Sequence, residues 1–290
     1  SKDRYFYSAK YAQSLSFRRN SEAHTGVHLS DDEFDLLNRT ITAGVKRGQP
    51  IDHICASNTE SVPVCTRSVY NYIDRGIMTV KNVDLRRKAG YKHRRKHRDP
   101  SLYHQRCRVG RTYQDYLKYM EDKSPETVTE MDTVKGARGT GSVLLTMFLR
   151  RNSVMLIFVM PDGTQASVKR CFNFLEEGLG LETFKRLFPI ILTDNEAEFK
   201  GVDDLEMTSE GFIRTTIFYC DPMASGQKGR IEKNHEYIRY VLPKGSSFNG
   251  YSQNEMVLLM NHINSTRRKG LGFQSPYDLI PRQDMDMKKL

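Results

Sequence analysis

The sequence predicts a mixed α/β sheet with flanking helices, preceded by a small all-α module. Two observations carry that expectation. In the first 80 residues apolar side chains recur at helical spacing, whereas from residue 126 onward short apolar runs of strand length alternate with helical segments. With 290 residues and 38% hydrophobic content, the chain can bury a substantial core.

Residues 1–28 read as an arm or linker, and 29–80 as a helical module. Ser30-Asp31-Asp32-Glu33 is a capping box, with Leu29 and Phe34 spaced for a hydrophobic staple. Phe34, Leu37, Ile41 and Val45 follow on one helical face, and Gly48 ends the helix. Pro50 opens a second helix. Residues 66–75 (TRSVYNYIDR) make a third, closed by Gly76. Val69, Tyr72 and Ile73 face inward, leaving Arg67, Ser68 and Asn71 outward. That is a helix-turn-helix able to present Arg and Asn to base edges. A plain three-helix packing unit fits the pattern equally well, and the charge that follows favours DNA.

Net charge is +10, and the stretch from Asp84 to Arg111 alone holds 11 Lys or Arg against 2 Asp. Three His and two Tyr are interleaved, a mixture suited to phosphate contact plus stacking. Arg86, Arg87, Lys88, Arg94, Arg95, Lys96 and Arg98 are the candidate DNA contacts. Residues 81–122 thus read as a basic linker with a helix.

Residues 123–290 carry the sheet. Glu126 to Val134, Val143 to Leu149 and Val154 to Met160 read as strands, the last buried on both faces. Ser167 to Phe188 is helical with a break at Gly178 or Gly180. Ile190 to Leu192 and Thr215 to Tyr219 are further strands, followed by helices over 228–242 and, from a second capping box at Ser252 and Glu255, to about Ser265. Val154 to Met160, seven residues, is the longest fully apolar run and too short to cross a bilayer. Five scattered cysteines without a Cys-x-x-Cys pair read as free thiols, and no zinc site of usual spacing is formed from His53, Cys55, Cys65, His104 and Cys107. A cytoplasmic, nucleoid-associated protein is expected.

Asp132 and Asp194 sit where strands run out, and Glu232 lies on a later helix. Carboxylates in that placement suit two-metal phosphodiester chemistry, in which ions about 3.5–4 Å apart activate a hydroxyl and stabilise the leaving oxygen. Lys228, Arg230 and Lys233 flank Glu232 and are candidate phosphate contacts. Asn234 and His235 either orient water, contact DNA or serve as structural hydrogen bonds. Glu130 shares a strand face with Asp132 and reads as peripheral. Glu236, one turn beyond Glu232, competes with it; Glu232 lies in the first turn of its helix, nearer the Ser225-Gly226 loop.

EMDTV with Asp132, LTDNEAEF with Asp194, CDPMASGQKGRIEKNHEYIRYVLPKG with Glu232 and the tail NSTRRKGLGFQSPYDLI together resemble transposases of the Asp-Asp-Glu type in the insertion-sequence-thirty family. Thirty-seven residues separate Asp194 from Glu232, similar to that family's second interval. Where the family carries a tryptophan before Gln-Lys-Gly, this chain has Gly226. The resemblance implies a ribonuclease-H-like core related to retroviral integrase. It implies two Mg²⁺ or Mn²⁺ ions held by Asp132, Asp194 and Glu232, cleavage of transposon ends, and strand transfer into target DNA. It also implies double-stranded DNA as partner, a homodimer or larger assembly on it, and a further helix-turn-helix ahead of Ser1. A structure-selective endonuclease of the same fold and a non-catalytic DNA-binding regulator are the alternatives.

Changing Arg94, Arg95, Lys96 and Arg98 to Ala should weaken binding to every duplex. The slope of log K against log salt, measured by gel shift across a salt series, should fall by roughly 3–4 units. An unchanged slope would make the run a solvated linker.

Overall fold

A computed structural model describes residues 8–23, 27, 29–86, 106–137, 141–222 and 224–284. The chain divides into two units, residues 1–89 and 90–290. No helix among the described residues is long and apolar enough to cross a membrane.

In the first unit, α1 (Ala9–Ala23) occupies much of the stretch expected as an arm. Its opening AKYAQSL is rich in good helix formers, which the lack of an amphipathic pattern hides. Helices α2 (Asp31–Lys46), α3 (Ile51–Ser57) and α4 (Thr66–Asp74) follow. The Ser30–Glu33 capping box forms as expected, with the Ser30 backbone N–H donating to Glu33 at 2.9 Å. Leu37, Ile41, Ile51, Ile54, Val69 and Ile73 make the core, with Phe34 and Val45 partly buried against it. At Gly44 an added Cβ would collide with the Ile54 side chain, so a larger residue there would force Ile54 to shift where α2 and α3 meet. Arg67 and Asn71 are exposed on α4, while Ser68 is half-buried against the Cys65 thiol at 3.3 Å.

The second unit begins ahead of the sheet. Helix α5 (Tyr113–Tyr119), which falls in the expected basic linker, packs on the sheet through Tyr116, whose ring meets Phe218 edge-on at 5.8 Å. Strands β1 (Val128–Lys135), β2 (Val143–Leu149) and β3 (Met155–Met160) form an antiparallel meander. Helices α6 (Gln165–Leu179) and α7 (Leu181–Leu187), broken at Gly180, cross over to β4 (Ile190–Thr193), parallel to β1. Helix α8 (Val202–Glu206) leads to β5 (Thr216–Tyr219), parallel to β4. The sheet order is β3-β2-β1-β4-β5. Two further helices, α9 (Gly229–Val241) and α10 (Gln253–Ser265), complete the unit.

The pleat sorts side chains between two faces. Val128, Ile190, Leu192, Phe218 and Cys220 pack with Tyr116 of α5 on one face, where α9 also lies. On the other, Phe158 meets Phe174 of α6, and the Tyr219 hydroxyl donates to Phe199 O at 2.6 Å.

Both sheet rims have some of their outer backbone groups paired by neighbouring elements. Outer backbone groups of β3 are met by side-chain amides from α10. Gln253 accepts from Val159 N–H at 2.8 Å and donates to Ile157 O at 2.9 Å, and Asn264 does the same for Met155 at 2.9 and 2.8 Å. On β5, Ile217 N–H donates to Glu206 at 2.7 Å and Tyr219 N–H to Arg111 O at 2.8 Å.

Asn264 is fully buried, so Asn264→Ala strands the Met155 N–H and C=O away from water. It should lower the unfolding free energy by about 2–4 kcal/mol, read from a urea midpoint at unchanged slope.

Candidate functional site

Asp132 and Asp194 come together through strand register. Glu130 pairs with Leu192 across the parallel β1–β4 ladder, so the two aspartates lie level, two residues further on, and on the same face. Asp132 is within β1 rather than at its end, because β1 continues pairing with β2 to Lys135 after β4 has stopped at Thr193. The strand is therefore longer than its partner, and Asp132 stands where the partner is missing.

Lys228 lies between them. Its Nζ is 3.1 Å from Asp132 Oδ1 and 2.8 Å from Asp194 Oδ2, with the lysine side chain only 5% exposed. Burial alone would depress the ammonium's pKa, but Asp132 and Asp194 outweigh it and hold the pKa above the ordinary lysine value. Asp132 Oδ1 also accepts the Thr133 N–H at 2.8 Å. Even so, burial first and the charge of Asp194 second push the Asp132 carboxyl up to about 6, against the help of Lys228.

His235 faces the same carboxylate from α9. Thr146, directly opposite Asp132 on β2, gives its single hydroxyl proton to Asp132 O at 2.9 Å. The 2.8 Å contact between Thr146 Oγ1 and His235 Nε2 is then donated by the imidazole. This tautomer leaves the Nδ1 lone pair toward Asp132 Oδ2, 4.0 Å away. Burial, then Lys228 and Arg239, push the His235 pKa down to about 3, keeping the ring neutral.

Helix α9 brings a stripe of residues to β1. Ile231, Asn234 and Ile238 are its buried side. Lys228, Glu232, His235 and Arg239 follow at spacings of four, three and four along a neighbouring face. Three of them are anchored to β1 or its neighbours: Lys228 and His235 at Asp132, and Arg239 through a 3.0 Å bond to Lys135 O. Glu232 is exposed in the first turn, between the two that meet Asp132. Among the described residues no three His, Cys, Asp or Glu side chains lie close enough to hold a metal ion. The structure thus joins Asp132 with Asp194 and leaves Glu232 outside that pair.

No family model matches the chain. Over 151 residues, 52% of this chain and 42% of the relative, it is 28% identical to the transposase for insertion sequence element IS1086 of Cupriavidus metallidurans. Over 66 residues, 23% of this chain and 17% of the relative, it is 33% identical to the transposase InsI for insertion sequence element IS30A of Escherichia coli K12. The chain is a homologue of insertion-sequence transposases. It spans less than half the length of each of these relatives. Among solved structures, the catalytic core domain of BIV integrase aligns with 53% of this chain and 93% of that one, at 16% identity and a TM-score of 0.37.

Other residues expected at a site fall in different places. Arg230 is exposed and forks onto Glu126 at 3.1–3.2 Å, while Lys233 is exposed. Asn234 is buried, donating to Arg230 O at 2.8 Å and accepting from Arg268 at 2.7 Å, so its amide serves the packing of the tail on α9. Arg86 is half-buried. Arg87, Lys88, Arg94, Arg95, Lys96 and Arg98 lie outside the described residues. Glu130, read from sequence as peripheral, is fully buried and paired with Arg150 at 2.8 Å. Period-two spacing put it on the Asp132 face but carried no sign of what covers that face.

Because the folded pKa of Asp132, about 6, exceeds its ordinary value of 3.8, ionised Asp132 costs stability above pH 6. That cost is relieved as pH falls toward 3.8. Without divalent metal, Asp132→Asn should raise the unfolding free energy near neutral pH by on the order of 2–3 kcal/mol. Urea denaturation across the pH range should find the gain vanishing below about pH 4.

Proposed function

We propose that this chain is the DNA-cleaving and strand-joining part of a transposase with a ribonuclease-H-like core. The observation that carries the reading is the level placement of Asp132 and Asp194 on adjacent parallel strands, sharing one buried ammonium. Sites in open α/β sheets gather at the carboxyl ends of strands; Asp194 follows the end of β4, and Asp132 stands level with it on β1.

The donor set suits hard divalent cations such as Mg²⁺ or Mn²⁺. Two carboxylates share a single lysine, and Asp132 Oδ2 faces the lone pair of a neutral imidazole. Both features favour more positive charge than Lys228 supplies. Asp132, Asp194 and Glu232 would hold two such ions, whose Lewis acidity activates a water or 3′ hydroxyl and stabilises the leaving oxygen. Thr146 and His235 keep the Asp132 strand and α9 in fixed relation, and Lys228 limits the repulsion between the two aspartates. Arg230 and Lys233, exposed beside them, would meet DNA phosphates. The α2–α4 unit acts as a helix-turn-helix, with Arg67 and Asn71 of α4 toward base edges and the basic run beyond it on the backbone. The partner is double-stranded DNA, both transposon ends and target, engaged by a homodimer or larger assembly.

Labelled transposon-end DNA incubated with the chain and Mg²⁺ or Mn²⁺ should be nicked and its 3′ end joined to a second duplex. Asp132→Asn and Glu232→Gln should abolish both steps while leaving gel-shift affinity within a few-fold. Glu236→Gln should lose at most about tenfold. Nicking without joining would favour an endonuclease, and DNA binding without metal-dependent nicking a regulator.

A further inference from the structure

The start of α9 has no side-chain cap of its own. Its leading N–H groups need acceptors, and one is supplied from the sheet. Glu130, two residues before Asp132 on β1, accepts the Ile231 N–H at 2.7 Å through Oε2. Its Oε1 accepts from Arg150 at 2.8 Å. Arg150 spreads its remaining donors to Gln227 O and to the Tyr116 hydroxyl oxygen, each at 3.2 Å. Gln227 is held in turn by Asp221, whose N–H it accepts at 2.7 Å and whose carboxylate it meets at 2.9 Å. The two backbone anchors, Gln227 and Ile231, bracket Lys228, and Glu232 follows immediately.

Stability alone does not explain this pair. Burying a carboxylate and a guanidinium brings little net gain over two apolar side chains of similar volume. An apolar pair, however, has no direction. Glu130 and Arg150 offer acceptors and donors at fixed angles to two specified backbone groups.

We propose that Glu130 and Arg150 are positioning residues, fixing the Gln227–Ile231 backbone against β1 and so setting where Lys228 and Glu232 stand relative to Asp132. This rests on the transposase reading above. Neither residue is required to touch metal or DNA. Both act through the register of α9.

The double variant Glu130→Leu with Arg150→Met tests this by replacing the charges with apolar bulk. It should unfold cooperatively in urea and bind DNA within about twofold of the parent chain. Nicking turnover should fall about 10–100-fold, with a comparable rise in the Mn²⁺ concentration for half-maximal rate. Hydrogen exchange at the Ile231 amide should quicken at least about tenfold while that at Ile238 stays unchanged. A filler of space would move neither the Mn²⁺ dependence nor the Ile231 amide alone. If the double variant does not fold, Arg150→Lys carries the same measurements, since lysine keeps the charge but lacks the fork. Full nicking rate with unchanged Mn²⁺ dependence, in a chain that Asp132→Asn inactivates, would overturn the positioning role and leave the transposase reading intact. Absence of metal-dependent nicking in the unmodified chain would overturn that reading instead. The Ile231 exchange then decides the positioning role by itself, equal rates sinking it.

Discussion

The parallel pairing of β1 with β4 is the constraint on which the candidate site depends. Ile190 and Leu192 pack with Val128 and Phe218 on one face while Ile191 turns to the other, so the short IILT strand has one comfortable register. In that register Asp132 and Asp194 come level. A slip by one residue would carry a carboxylate to the opposite face, where α6 packs. Apolar packing two residues upstream therefore decides where the charged chemistry stands.

The charges run against stability. Asp132 is held ionised only with the help of Lys228, and burial still lifts its pKa into the range where protonation competes. Two residues earlier the same strand buries a second carboxylate, Glu130, neutralised by Arg150. A strand designed for stability alone would carry valine or isoleucine at both positions. Concentrating this burden on one strand fits the proposed site, since folds give up free energy at working sites. Beside it, β2 is buried along all seven of its residues.

What could be read from sequence was what short-range chemistry decides. The capping boxes at Ser30 and Ser252 are local, and both helices begin where those boxes require. Strand-length apolar runs located the sheet, and Asp194 was legible because its strand ends beside it. The sequence pattern sets Asp132 too near a strand end, since the length of β1 depends on β2, which continues pairing after β4 stops. Helix α1 lacks an amphipathic stripe that would reveal it in the sequence. By sequence Lys228 reads as a phosphate contact. Its burial between two aspartates is a fact of tertiary approach, hinted at only by its spacing of four from Glu232. Arg150 stands twenty residues from Glu130, and no local pattern pairs them.

The partly paired rims of the sheet bear on how copies of this chain can meet. Gln253 and Asn264 imitate a neighbouring strand along β3, and the Glu206 carboxylate and Arg111 carbonyl do the same for β5. With these outermost backbone groups already paired, the sheet is a poorer template for recruiting a strand from another molecule. Copies brought together in the proposed assembly on DNA would then meet chiefly through helices and side chains. Backbone-driven runaway polymerisation, the hazard of any open sheet held at high local concentration, is hindered at both rims.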